Sequence, residues 1–205
     1  MSLPRPSLSL METKSKELVP AVDGVPLHSL HNPRREAEVL ASNHLAHLYK
    51  SPNALVLGLG FGYHIEEIAK ILRLRHRNYR IGVIEAFPEL TRMMESYRGE
   101  LPNTEIFAAK TTEELWQNQA LGRFLLEKPV VIIHSASFAA AKPFYEKFLG
   151  RRAPQTVGEW QVSDTLVQSF LTSNATDSLA NIVQGNHSGP PAGWLRAFWE
   201  CKHAE

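Results

Sequence analysis

Gly58-Leu59-Gly60-Phe61-Gly62 sets three glycines at alternate positions directly behind the apolar run Ala54-Leu55-Val56-Leu57. Glycines in such a place let a ligand approach the backbone closely, and a helix starting just after them presents unpaired N–H groups to an anion. Tyr63 and His64 follow the last glycine; a tyrosine ring can stack on a base, and an imidazole can donate to a phosphate or carboxylate. Glu85 closes the next apolar run, roughly twenty residues on, where a carboxylate can receive ribose hydroxyls. His134-Ser135 follows a further apolar run, as a candidate pocket lining and general base. Gly58, Gly60, Gly62, Tyr63, His64, Glu85 and His134 therefore make up the candidate cofactor-binding set, with a nucleotide-like small molecule as the ligand. The competing reading makes the glycines a tight turn and Glu85 a solvated strand end.

These residues need a strand ahead of the glycines and a helix behind them, and the pattern supplies both. Ala54 to Leu57 reads as a buried strand, and Ile65, Ile68, Ala69 and Leu72 mark a helix over 63–74. Ile81 to Glu85, Thr104 to Ala108 and Val130 to Ile133 read as further strands. Leu90, Met93, Met94 and Tyr97 mark one intervening helix, and Thr112 to Leu126 the next. Alternation of this kind implies an α/β, Rossmann-like domain with a mainly parallel sheet and flanking helices. Asn32-Pro33 opens a leading helix running towards Tyr49, with Asn as the cap and Pro in the first turn. The expected division is a loose arm over 1–26, the α/β domain over 27–160, and a helical extension over 161–205. In the extension Trp194, Leu195, Phe198 and Trp199 line one helix face, a candidate homodimer or domain contact.

The 205 residues suit a single domain with extensions, and a net charge of +1 disfavours a general electrostatic grip on nucleic acid or a membrane. The lone Cys201 and the lack of a long apolar run point to a cytoplasmic protein. Met1-Ser2-Leu3 has the look of a cloning remnant, which makes the chain a candidate fragment of something longer.

Gly62 follows Gly60 by two residues rather than three, a departure from the dinucleotide pattern. With Val83-Ile84-Glu85-Ala86-Phe87-Pro88, the loop resembles the S-adenosylmethionine-dependent methyltransferase fold, above all its polyamine-synthase branch. That resemblance implies a methyltransferase-type sheet and an adenosine-like pocket, with S-adenosylmethionine or a nucleotide as cofactor. It does not extend to the reaction: Ala108-Ala109-Lys110 stands where the family has an acid near the adenine, and His134-Ser135 stands where polyamine synthases carry a catalytic Asp.

A second resemblance covers about 150 residues. Leu27-His28-Ser29, Asn32-Pro33 with Glu36-Ala37-Glu38, and Leu57 to His64 together resemble the N-terminal region of the bacterial motility accessory factor family, and Phe170 to Asn174 resembles the linker that follows that region. This resemblance implies an association with flagellin glycosylation and a downstream glycosyltransferase-like domain as partner, with no transferase centre identifiable here. On that reading the leading helix lies over the glycine loop, so that His28, Asn32 or Arg34 meets the ligand. The blander reading is a helix start whose early glutamates suit the macrodipole.

His44 and His47 lie one helical turn apart, with His28 and His31 nearby, but no Cys or carboxylate completes a set, so no metal is expected. Arg73, Arg75, Arg77 and Arg80 read as a solvated basic helix end. Three functions follow: a ligand-binding or supporting domain in flagellin glycosylation, an S-adenosylmethionine-dependent transferase acting on a small molecule, or a degenerate fold used for protein contact.

Overall fold

The computed structural model describes residues 6–150, so the helical extension, its tryptophan face and the Phe170 segment lie outside the described residues. Residues 8–26 correct the expectation of a loose arm. Leu8–Glu12 (β1), Leu18–Val22 (β2) and Val25–Pro26 (β3) form an antiparallel sheet in that order. Its second turn is Asp23-Gly24, with φ of 51° and 79° and Val22 paired to Val25. A two-residue turn with both φ positive matches the twist of a hairpin, and Asp-Gly is a favoured pair for it. Val19 and Ala21 of β2 are buried with Leu27, so the hairpin packs into the main core rather than lying free.

Asn32 caps the leading helix α1 (Pro33–Asn43) by accepting from Arg35 N at 2.9 Å. The continuation to Tyr49 is a separate turn, α2 (Leu45–Leu48). Then come β4 (Asn53–Leu57), α3 (Tyr63–Arg75), β5 (Arg80–Glu85), α4 (Pro88–Arg98) and β6 (Thr104–Ala108). The helix expected over 112–126 is broken into α5 (Thr112–Trp116) and α6 (Gln119–Leu126). Asn118 interrupts it because its Oδ1 accepts from both Ala120 N and Leu121 N, restarting the helix. The strand β7 (Val130–Ile133) is followed by α7 (Ser135–Ala140) and α8 (Lys142–Leu149).

The main sheet has the order β6-β5-β4-β7 and is parallel throughout. It gives the chain the α/β, Rossmann-like architecture expected from the alternation, with helices on both faces. Ala54 and Val56 of β4 join a core with α1, α3 and the small sheet; Leu55 and Leu57 join another with α5, α6 and α8. That period-two division is what a strand buried on both faces requires. Among the described residues no helix is long and apolar enough to cross a membrane.

Register is the feature that builds the site. Leu57 pairs with Ile84 on one side and Ile133 on the other, so Gly58, Glu85 and His134 leave the sheet at one level. Gly82 shows how tightly β5 is packed: a Cβ there would lie 2.6 Å from Phe124 Cε1 and 3.2 Å from Phe107 Cε2. Gly82→Ala should destabilise the domain by about 1–3 kcal/mol through overpacking, read as a lower urea midpoint with an unchanged slope. An unaltered midpoint would mean that Phe124 has room to retreat.

Candidate functional site

The glycine loop connects β4 to α3, and its polar groups are engaged from within the protein. Glu85 is fully buried at the end of β5 and does face the loop: Oε2 accepts from Leu59 N at 2.7 Å, and Oε1 from Phe87 N at 2.8 Å. Both carboxylate oxygens thus tie strand ends together, which corrects the expectation of a carboxylate open to ribose hydroxyls. Burial pushes the Glu85 carboxyl up to about 7, against the pull of the backbone N–H groups of Leu59, Phe87 and Ala86.

His28, from the segment between β3 and α1, lies over the same loop, and its Nε2 accepts from Phe61 N at 2.9 Å. Gly60, at φ 52°, permits this approach; a Cβ there would lie 2.4 Å from His28 Nε2 and 3.1 Å from His134 Cε1. Gly58 lies against Ser137 of α7, and Gly62 against Leu101. The loop is therefore covered by side chains, where an open crevice was expected.

Tyr63 and His64 divide at the start of α3. Tyr63 points towards the small sheet, its hydroxyl donating to Leu18 O at 2.7 Å and lying 3.1 Å from Glu17 Oε2. The Arg98 guanidinium sits 3.9 Å from its ring centroid, so the ring is a buried cation–π partner and not a free stacking platform for a base. His64 points the other way, under His28, and its Nε2–H donates to Gly58 O at 3.0 Å. Asn32 serves as a helix cap and Arg34 pairs with Glu17 at 2.6 Å, so of the three residues named on the leading segment only His28 reaches the loop.

His134, at the end of β7, completes a cluster of three imidazoles. Its ring stacks on His64 with centroids 4.2 Å apart and planes 5° from parallel, and lies 4.6 Å from His28. Its Nδ1 pairs with Ser137 Oγ at 2.7 Å. All three rings are buried, with ligand-capable nitrogens within 4.8 Å of one another. Burial, then the neighbouring imidazoles, holds His134 well below the ordinary histidine range and His64 at about 3; burial also lowers His28, although Glu36 opposes it. The rings are neutral at neutral pH. A neutral histidine can accept a proton only where the charge is tolerated, so burial weighs against His134 as a general base.

In the sequence His28 stands nearest His31, His44 and His47, a spacing that predicts no metal set. The fold instead groups it with His64 and His134: the parallel strands β4 and β7 deliver the last two to one rim, and the segment between β3 and α1 lays His28 over them. No sequence spacing encodes that grouping. Glu36, a helix-start acid within the motif of the second resemblance, accepts from Ser29 N at 2.8 Å and stands 3.4 Å from His28 Nδ1. A cavity of about 170 Å³ beside the cluster is lined by His28, Glu36, Leu40, His64, His134 and Ser135, among others.

No family model and no curated protein matches the chain. Among solved structures it is similar to a spermidine synthase in complex with the transition-state analogue AdoDATO, at 19% identity and a TM-score of 0.44, over 66% of this chain and 45% of that one. It is also similar to spermidine synthase from Thermotoga maritima, at 19% and 0.44, over 70% of this chain and 51% of that one. A third, MNMC2 from Aquifex aeolicus, gives 14% and 0.36, over 56% and 46%. The chain spans about half the length of the solved structures it matches.

Glu85 carries a pH dependence of defined sign. Its folded value of about 7 lies above the ordinary 4.5, so its contribution to stability is complete below about pH 4.5 and is lost as pH rises through 7. The gap corresponds to roughly 3 kcal/mol. Glu85→Gln is uncharged throughout and leaves one backbone N–H without an acceptor, a constant cost of about 1–3 kcal/mol. Relative to wild type, the variant should therefore gain stability between pH 4.5 and 8, measured by urea unfolding. A difference independent of pH would contradict the raised carboxyl.

Proposed function

We propose that the chain is a supporting Rossmann-like domain of a motility accessory factor-like protein associated with flagellin glycosylation, and not a free-standing S-adenosylmethionine-dependent transferase. The observation that carries this reading is the closure of the loop from inside. The amides of Leu59 and Phe61 already have acceptors in Glu85 and His28, and Glu85 has no exposed surface. A ligand seated on these two amides would have to displace Glu85 and His28, and one reaching for Glu85 would have to open a fully buried carboxyl.

The motifs behind the family resemblance also behave as one unit. His28 and Ser29 contact Glu36, Asn32 caps the helix that carries Glu36, and His28 reaches across to Phe61 in the glycine loop. Residues far apart in the chain are thus joined by direct bonds, which gives their joint occurrence a physical cause. In this reading the domain presents a rigid unit to a glycosyltransferase-like partner that carries the sugar-transfer chemistry.

Two measurements test it. Titration with S-adenosylmethionine, S-adenosylhomocysteine and CMP at millimolar concentration should leave the melting temperature within about 1 °C of the free protein. A saturable rise of several degrees with either adenosyl compound would favour the transferase. Intact-mass analysis of flagellin from cells of the source organism lacking the gene should show lost glycan mass; an unchanged mass would remove the flagellin role.

A further inference from the structure

We propose that His28, His64 and His134 form a binding site for a divalent transition metal of the zinc type, closed over the glycine loop. This goes beyond the supporting role and does not rest on it. Each ring uses its two nitrogens differently. A histidine that ligates a metal commonly anchors its other ring nitrogen on a carbonyl, carboxylate or hydroxyl, which fixes the tautomer and orients the ring.

Two of the three rings have such an anchor, and the third has a carboxylate close to its other nitrogen. His64 Nε2–H donates to Gly58 O, so its Nδ1 is a bare lone pair, buried and without a partner. His134 Nδ1 pairs with Ser137 Oγ, which leaves Nε2 as its ligand atom. His28 Nε2 accepts a backbone N–H, so the proton of the neutral ring is on Nδ1, 3.4 Å from Glu36 Oε2 and otherwise unpartnered. An ion on His28 Nε2 would make Nδ1–H more acidic and strengthen its attraction to Glu36, giving a carboxylate–histidine–metal triad. Glu36 is held for that role by Ser29 N.

Donor chemistry and space agree with this assignment. Three neutral imidazoles suit zinc, copper or nickel better than magnesium or calcium, which prefer oxygen. Gly60 supplies the space beside His28 and His134, and the adjoining cavity offers an entry path and a fourth position for water or a small ligand.

Coordination also demands a definite rearrangement. An ion lies in the plane of each ring it binds, so the parallel rings of His64 and His134 cannot share one until one of them turns. Tetrahedral zinc sets its nitrogens about 3.4 Å apart, closer than the 4.8 Å that bounds the present cluster. His28 must also release Phe61 N–H to the ion's advantage.

The test uses the whole chain after dialysis against a chelator, with Zn²⁺ and Co²⁺ added as their chloride salts. One equivalent of Zn²⁺ per chain should bind and raise the melting temperature, and Co²⁺ should give the intense visible bands of a tetrahedral site. His64→Ala and His134→Ala, confirmed as folded by circular dichroism, should lose both signals, whereas the paired change His44→Ala with His47→Ala should keep them. Glu36→Gln should retain the stoichiometry while weakening affinity by about 10- to 100-fold. The site is overturned if folded wild type binds neither ion, if the His64 and His134 variants bind as wild type does, or if the His44/His47 pair alone abolishes binding. Should His64→Ala and His134→Ala both fail to fold, the Glu36→Gln affinity and the cobalt spectrum of wild type decide.

Discussion

One buried carboxylate holds the carboxyl rim of the sheet together. Glu85 bridges the turn after β4 and the turn after β5, through Leu59 N and Phe87 N, with no water-exposed surface of its own. The backbone N–H groups aimed at its two oxygens offset part of the burial that raises the carboxyl, and a buried N–H left without an acceptor is costly. Once those bonds exist, the path of the glycine loop is set, and with it the positions of Gly60 and of the start of α3. His28 can then reach Phe61 N across Gly60, and His64 and His134 fill the remaining space.

That arrangement resembles a nucleotide site in its parts and differs in their use. Strand, glycines, helix and acid stand in the order of a Rossmann-like unit, yet the loop amides of Leu59 and Phe61 already have acceptors in Glu85 and His28. Fold alone does not carry function, which lies in what the side chains at the rim do. The three neutral imidazoles then become the chemically distinctive feature of the rim.

Much of the architecture was legible in the residues. Apolar runs at β4, β5 and β7, with the shorter Ile106-Phe107 stretch of β6 and helical spacing between them, specify the parallel sheet, and Asn32-Pro33 marks the leading helix. The hairpin was missed although its signal is local: Val22-Asp23-Gly24-Val25 is an Asp-Gly turn between apolar residues, and scattered Pro and Ser nearby masked it. Asn118 is a comparable case, a good cap placed within an otherwise helical pattern. The site was legible only in part. Gly60 lies against His134, and His64 stacks on His134, whereas Glu85 bonds the loop at Leu59, a choice of backbone partner over ligand that no residue pattern encodes. His28 joins them because the small sheet and α1 carry it there, a tertiary effect that spacing does not record.

The most direct test of the closed loop is native-state hydrogen exchange at the Leu59 and Phe61 amides in the free protein and with millimolar S-adenosylmethionine. Both amides donate to buried acceptors, so the expected result is strong protection that the compound leaves unchanged. Rapid exchange in the free protein, with protection appearing only on addition of the compound, would contradict it and restore an open binding crevice.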